Sequence, residues 1–170
     1  MGSQQDLLGR IREARRRLAA DGPSRVRSGG DFERVSVPVS DADVLRDLLL
    51  AEKPGTVIEI GLAYGSSALA IAEALVAAGS SDARHVIVDP YQEHFHGSGW
   101  AAVTGAGLTG LCSLVAERSQ IALPRLLGDG FVGGWEPEPI AWPTRLRAFR
   151  LPKPRVEPSF DSFRPFGPGE

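Results

Sequence analysis

Glu59-Ile60-Gly61-Leu62-Ala63-Tyr64-Gly65-Ser66-Ser67 brings together a carboxylate, two glycines and two hydroxyls, the residue types that wrap a small charged ligand. The glycines let the backbone turn tightly against a ligand, and Ser66 or Ser67 is placed to cap a following helix. Glu59 decides the charge of that ligand. A carboxylate two residues before the first glycine repels a pyrophosphate arriving at a helix N-terminus and attracts a ligand carrying an ammonium and a sulfonium. The dinucleotide fingerprint Gly-x-Gly-x-x-Gly also needs a third glycine, and the spacing here is Gly61-x-x-x-Gly65. Both features favour S-adenosylmethionine over NAD as the cofactor.

A second acid, Asp89, closes the apolar run His85-Val86-Ile87-Val88. In doubly wound folds a carboxylate at the tip of the second strand accepts hydrogen bonds from ribose hydroxyls. Tyr91, just beyond Pro90, is placed to lie against an adenine. His94-x-His96 has a spacing that suits metal ligands in an extended chain, but no further ligand is identifiable beside it, so no metal is expected. One of these histidines facing a substrate would serve as a general base, since imidazole titrates near neutral pH. No catalytic residue is assigned.

The elements that must position these groups follow from periodicity. Val57, Ile58 and Ile60 read as a buried strand before the loop, and Ala68, Leu69, Ile71, Ala72, Leu75 and Val76 as a small-residue helix after it, stopped by Gly79. Together with the Asp89 strand they make a βαβ unit with parallel strands. Upstream, Ser40 is the expected N-cap of a helix with the apolar stripe Val44, Leu45, Leu48 and Leu49, ended by Pro54-Gly55. Residues 21 to 40 read as a loop. Before it, Leu7, Ile11, Ala14 and Leu18 share one helical face while Arg10, Arg12, Arg15, Arg16 and Arg17 crowd the rest. That arginine cluster fits a solvated outer face, packed on the fold or on a second subunit, better than a nucleic-acid site. Residues 92 to 110 read as a loop and a loose helix. Gln120 to Leu127 reads as a crossover helix with Ile121, Leu123, Leu126 and Leu127 as its apolar residues, ended at Gly128-Asp129-Gly130.

Three segments carry a resemblance to a known family. Glu59-x-Gly61-x-x-x-Gly65-Ser66-Ser67, Asp89-Pro90-Tyr91-Gln92, and Gly107-Leu108 followed by Ser113-Leu114-Val115-Ala116-Glu117-Arg118-Ser119 resemble class I S-adenosylmethionine-dependent methyltransferases, within them the O-methyltransferase-like group called methyltransferase family 24. The resemblance implies an α/β, Rossmann-like, doubly wound parallel sheet of strand order 3-2-1-4-5-7-6. It implies that Glu59, Gly61, Leu62, Ala63, Tyr64, Gly65, Ser66 and Ser67 surround the methionine half of the cofactor. Asp89, Pro90 and Tyr91 would then hold the ribose side, and Arg118 and Ser119 would flank the adenine, although relatives often carry an acid where Arg118 falls. The implied reaction is methyl transfer to a small molecule, in most such proteins to oxygen, resting on in-line positioning.

Composition fits one soluble domain: 170 residues with 42% hydrophobic content can bury a single core. A net charge of −2 gives no reason to expect nucleic acid or membrane as partner. The single cysteine, Cys112, suits a reducing cytoplasm, and no apolar run approaches the roughly 20 residues of a membrane helix. The last forty residues differ in character, holding eight of the 13 prolines and five of the seven phenylalanines. Pro137, Pro139, Pro143, Pro152, Pro154 and Pro158 exclude a long helix or a central strand there.

The expected organisation is therefore an N-terminal helix and loop (1–34), a partial cofactor-binding domain with the first three strands (35–130) and an irregular tail (131–170) that reads as a truncated or frame-shifted end. The first strand would then keep a bare edge, open to the proline-free segment Thr144 to Leu151 or to another copy, with the N-terminal helix as a second route to a homo-oligomer. Three functions follow: a small-molecule methyltransferase, a catalytically inactive remnant that at most binds the cofactor, and an NAD-binding oxidoreductase fragment.

Overall fold

Three short runs rich in β-branched residues form the strands β1 (Thr56–Ile60), β2 (Arg84–Val88) and β3 (Cys112–Val115), all parallel and ordered β1-β2-β3. This computed structural model describes residues 4–24 and 31–128, which fall in one unit, Met1–Gly134. The helices are α1 (Gln4–Asp21), α2 (Phe32–Val35), α3 (Val39–Glu52), α4 (Ser66–Ala78), α5 (Ser98–Gly105) and α6 (Ser119–Gly128), with a 3₁₀ turn at Gln92–Phe95. The architecture is the expected α/β one with the expected order of the first three strands. The tail 131–170, its segment Thr144 to Leu151, and Asp129-Gly130 lie outside the described residues.

Register explains the two layers. Val57 pairs with His85 and His85 with Cys112, so Val57, Glu59, His85, Ile87, Cys112 and Leu114 share one face. That face meets α1, α4 and α5 through Ile11, Leu18, Leu69, Ala72 and Val103. Ile58, Val86, Val88 and Val115 point the other way, onto Ala122 and Leu126 of α6. Ala68 and Ala72 let α4 lie close on the sheet, and full burial of Leu69 contributes roughly 1.5–3 kcal/mol.

Several local expectations need correction. Ser40 does not cap α3: the helix starts at Val39 behind Pro38, whose fixed φ suits a helix entry, and it ends at Lys53 in the left-handed region just before Pro54. Only Leu45 and Leu49 of its stripe pack inward, while Val44 and Leu48 are exposed. Residues 32 to 35, read as loop, form the short α2. In α6 the inward residues are Ala122 and Leu126, whereas Ile121 and Leu127 lie in solvent. Ile60 is 60% exposed, and the buried member of β1 is Glu59.

Backbone pairing leaves one side of β1 open. Arg84 N–H donates to Gly55 and Gly61 N–H to Val88, so the odd-numbered residues of this stretch face β2. By alternation Thr56, Ile58 and Ile60 turn their backbone groups to an edge that no strand covers among the described residues.

Two of the arginines of α1 tie that helix to its neighbours. Arg12 and Arg15 both bind the buried Glu73 of α4, and Arg15 also reaches Asp43 of α3. Arg16 and Arg17 pair with Glu13 on their own helix. Burial pushes the Glu73 carboxyl up, but the two guanidinium groups outweigh it and hold the group below its ordinary value. Among the described residues no helix is long and apolar enough to cross a membrane.

Candidate functional site

The glycine loop leaves β1 at Gly61 and enters α4 at Gly65, both at positive φ (86° and 90°), which glycine adopts without strain. Gly65, not Ser66 or Ser67, occupies the N-cap, and no side chain caps the helix. Ser67 instead donates its hydroxyl to Glu59 Oε1. Between the glycines Ala63 sits at φ 45°, a region that costs a non-glycine residue roughly 1–2 kcal/mol. That conformation persists because its neighbours hold it.

Asp89 is the principal holder. Its Oδ2 accepts the N–H groups of Leu62 (2.9 Å) and Ala63 (3.3 Å) and the Gln92 amide (2.9 Å), while Oδ1 accepts Tyr91 N–H (2.7 Å). Burial acts to raise its pKa, but the donors from Tyr91, Gln92, Leu62 and Ala63 win and keep it below the ordinary value. Gln92 also donates to the Ala63 carbonyl (3.0 Å) and accepts Trp100 N–H (3.1 Å), tying the loop to α5. Gly99 completes the support. A Cβ there would lie 2.4 Å from the Ala63 carbonyl oxygen and 2.8 Å from Leu62 Cγ.

Glu59 is buried on the helical face beneath the loop. His85 Nε2 lies 3.0 Å from Glu59 Oε2, close enough for an ion pair but not aligned for a hydrogen bond, and His85 Nδ1 lies 3.6 Å from Cys112 Sγ. Burial, and then the Glu59 charge, push the Cys112 thiol up to about 12. The acid therefore lies beside the glycine loop, with its carboxylate turned toward Ser67 and His85.

Tyr64 is buried between Phe32 and Phe95, edge to face with both, and donates its hydroxyl to Asp31. That bond, with burial, pushes its pKa up to about 12. Tyr91 is 49% exposed at the tip of β2, with Pro90 half-buried beside it and His94 edge-on. His94 and His96 are both exposed. Arg118 is exposed and Ser119 opens α6, after the third strand. Sequence reasoning singled out neither Gln92 nor Gly99 as a site residue. The available signals were an amide three residues past Asp89 and a glycine in the first turn of a helix, where propensity disfavours it.

A cleft of about 890 Å³ opens between α1, α2, α3 and α4, with an apolar floor that includes Leu18, Phe32, Val39, Ala42 and Leu69 and with arginines at its rim. It reaches the glycine loop at one residue, Ser66, so it adjoins the loop and does not overlie it.

No protein-family model and no curated protein matches the chain. Solved structures do. An O-methyltransferase from Bacillus cereus, in complex with SAH, matches with a TM-score of 0.51 and 18% identity over 71% of this chain and 48% of that one. The O-methyltransferase TomG from Streptomyces achromogenes, involved in tomaymycin synthesis and bound to SAM, matches with a TM-score of 0.49 and 22% identity over 71% and 46%. Cofactor-bound Rv0187 from MTB matches with a TM-score of 0.48 and 23% identity over 72% and 48%. The chain thus spans about half the length of these proteins. At this identity the Bacillus cereus likeness shows a shared fold alone: the three-stranded parallel sheet and its helices form a Rossmann-like α/β arrangement found also in part of that protein.

Proposed function

We propose that the chain is a methyltransferase that uses S-adenosylmethionine and acts on a small molecule, with oxygen as the acceptor atom. The observation that carries this reading is how the loop amides are used. Gly61 N–H goes to Val88, Leu62 and Ala63 N–H to Asp89, and Gly65 N–H to Leu62. A pyrophosphate needs such N–H groups at a helix N-terminus. Here an internal carboxylate already occupies two amides of the turn that leads into α4, and a second carboxylate, Glu59, sits under the same turn. The site therefore repels a dinucleotide and suits a ligand with positive charge.

The residues present fit S-adenosylmethionine. Glu59 and the loop from Gly61 to Ser67 supply the negative field and close backbone for the methionine half. Asp89 Oδ1, which carries a single backbone donor, Pro90 and exposed Tyr91 border the ribose and adenine side, and Arg118 and Ser119 adjoin it. When bound, the group supplies an activated methyl on sulfur. The chain then has to orient an acceptor and exclude water, and the cleft that reaches Ser66 is the place assigned to that acceptor. A cytoplasmic setting agrees with the single buried Cys112.

A second reading keeps affinity for the cofactor without methyl transfer. Calorimetric titration with S-adenosylmethionine and with NAD tests the cofactor: binding of the first and not the second is expected, and the reverse would sink the proposal. Methyl transfer to a panel of phenols and hydroxy acids then separates enzyme from remnant.

A further inference from the structure

We propose that His85 is a positioning residue for Glu59: its Nε2–H, turned to the Glu59 carboxylate, keeps that group ionised beneath the glycine loop and so sets the preference for a positively charged ligand. Where a ligand is involved, the inference rests on the cofactor reading above. Register brings the parts together. His85 stands opposite Val57 on one side and Cys112 on the other, and Glu59 follows two residues after Val57 on the same face. Three polar side chains thus lie together on the buried face of the sheet, His85 with no exposure at all. Glu59 Oε1 accepts the Ser67 hydroxyl. Its Oε2 and His85 Nε2 make no hydrogen bond elsewhere and face each other at 3.0 Å. A proton has to stand between them, because at that distance a bare ring nitrogen and a carboxylate oxygen would set lone pair against lone pair. Cys112 decides which atom carries it. The thiol, pushed up to about 12 by burial and then by the Glu59 charge, keeps its hydrogen and lies 3.6 Å from His85 Nδ1. Nδ1 is then the acceptor, and the one N–H of the imidazole is on Nε2. Without that donor Oε2 would be buried and unserved, and a carboxylate so placed takes up a proton.

NMR of the imidazole nitrogens in the ligand-free chain reads the pairing directly: His85 should carry its proton on Nε2. Infrared spectroscopy reads the charge. A protonated-carboxyl band, absent from the unaltered chain, should appear in His85→Leu and vanish when Glu59→Gln is added. Affinity reads the consequence, since S-adenosylmethionine and S-adenosylhomocysteine differ by one methyl and the charge on sulfur. Their affinity ratio should fall about tenfold in His85→Leu and in Glu59→Gln, and no further in the double variant. His85→Gln, whose amide can still donate, should keep the ratio, whereas a merely structural role would weaken both ligands alike. A proton found on Nδ1, a Glu59 acid band already present in the unaltered chain, or a ratio unchanged in His85→Leu would overturn the proposal. Should His85→Leu fail to fold, the proton position and the carboxyl band of the unaltered chain still decide it. If neither ligand binds the unaltered chain, the cofactor reading fails while those two spectra still decide the pairing.

Discussion

Gly99→Ala should be the most crowded alanine substitution among the described glycines, and the structure says by how much. The new Cβ would stand 2.4 Å from the Ala63 carbonyl oxygen, 2.8 Å from Leu62 Cγ and 3.1 Å from the Ala63 carbonyl carbon. Relief needs about 1 Å of movement, since ordinary contact begins near 3.4 Å. A flexible side-chain end would yield at little cost, but this neighbour is backbone, pinned by Asp89 through its N–H and by Gln92 through its carbonyl. Overpacking against a fixed neighbour costs about 1–3 kcal/mol, and the upper part of that range applies here. A loss of about 2–3 kcal/mol corresponds to a fall in Tm of roughly 8–12 °C for a unit of this size. The control is Gly9→Ala, the same change inside α1, where nothing lies within 4 Å of the new Cβ. Removing a glycine from a helix interior should there stabilise by about 1 kcal/mol. Urea melts followed by far-UV circular dichroism of both variants test the pair. Opposite signs are expected. A Gly99→Ala chain as stable as the original would mean that the loop moves aside freely, and the account of its support would be wrong.

Further expectations concern charge, the thiol and the open edge. Glu73 and Asp89 have folded pKa values below their ordinary 4.5 and 3.8, so each adds stability that is present above those values and lost as pH falls through the lower folded ones. Glu73→Gln should cost about 2 kcal/mol at pH 7, less than a fully buried pair because Arg12 is half exposed and Arg15 keeps Asp43, and its stability should fall less steeply in acid; an acid limb parallel to that of the unaltered chain would refute this. Cys112, buried with its thiol pushed up to about 12, should react with a disulfide reagent at pH 8 roughly a hundredfold more slowly in the folded chain than in denaturant. Equal rates would place the thiol elsewhere. Ile60→Lys, on the uncovered side of β1, should weaken self-association in sedimentation, and an unaltered chain that stays monomeric at high concentration would remove the premise.

Local chemistry made some of this legible in the sequence and hid the rest. Gly61 and Gly65 could be placed because both need a positive φ, and Gly79 because it stops a helix in the same way. Strand order came with the resemblance to class I methyltransferases, and the parallel sense of the first two strands from the βαβ spacing. Burial was harder, since a period-two pattern shows which residues alternate and not which face is covered. Ile60 and Leu48 were read as buried because they are apolar, but their exposure depends on what stands beside β1 and α3, which is tertiary information. Capping failed for a related reason: Ser67 is the right type to cap α4, yet a buried carboxylate competes for its hydroxyl and wins. Gln92 was invisible as a strut because one amide in a turn has no pattern of its own.

The acids around the loop show why a glycine count alone misassigns such sites. A strand, a glycine turn and a helix N-terminus make an anion site by default, because unpaired N–H groups converge on the ligand. This chain inserts its own anion first. Asp89 takes the amides of Leu62 and Ala63 and Glu59 lies under Ser67, so two negative charges stand beside the turn before any ligand arrives. On the proposed reading these carboxylates disfavour phosphate and also fix the backbone that a cation-bearing ligand would touch. Ligand charge and loop rigidity are thus set by the same two residues, and Glu59→Gln and Asp89→Asn should separate them: the first changing charge preference with little effect on amide exchange in the loop, the second loosening the loop first.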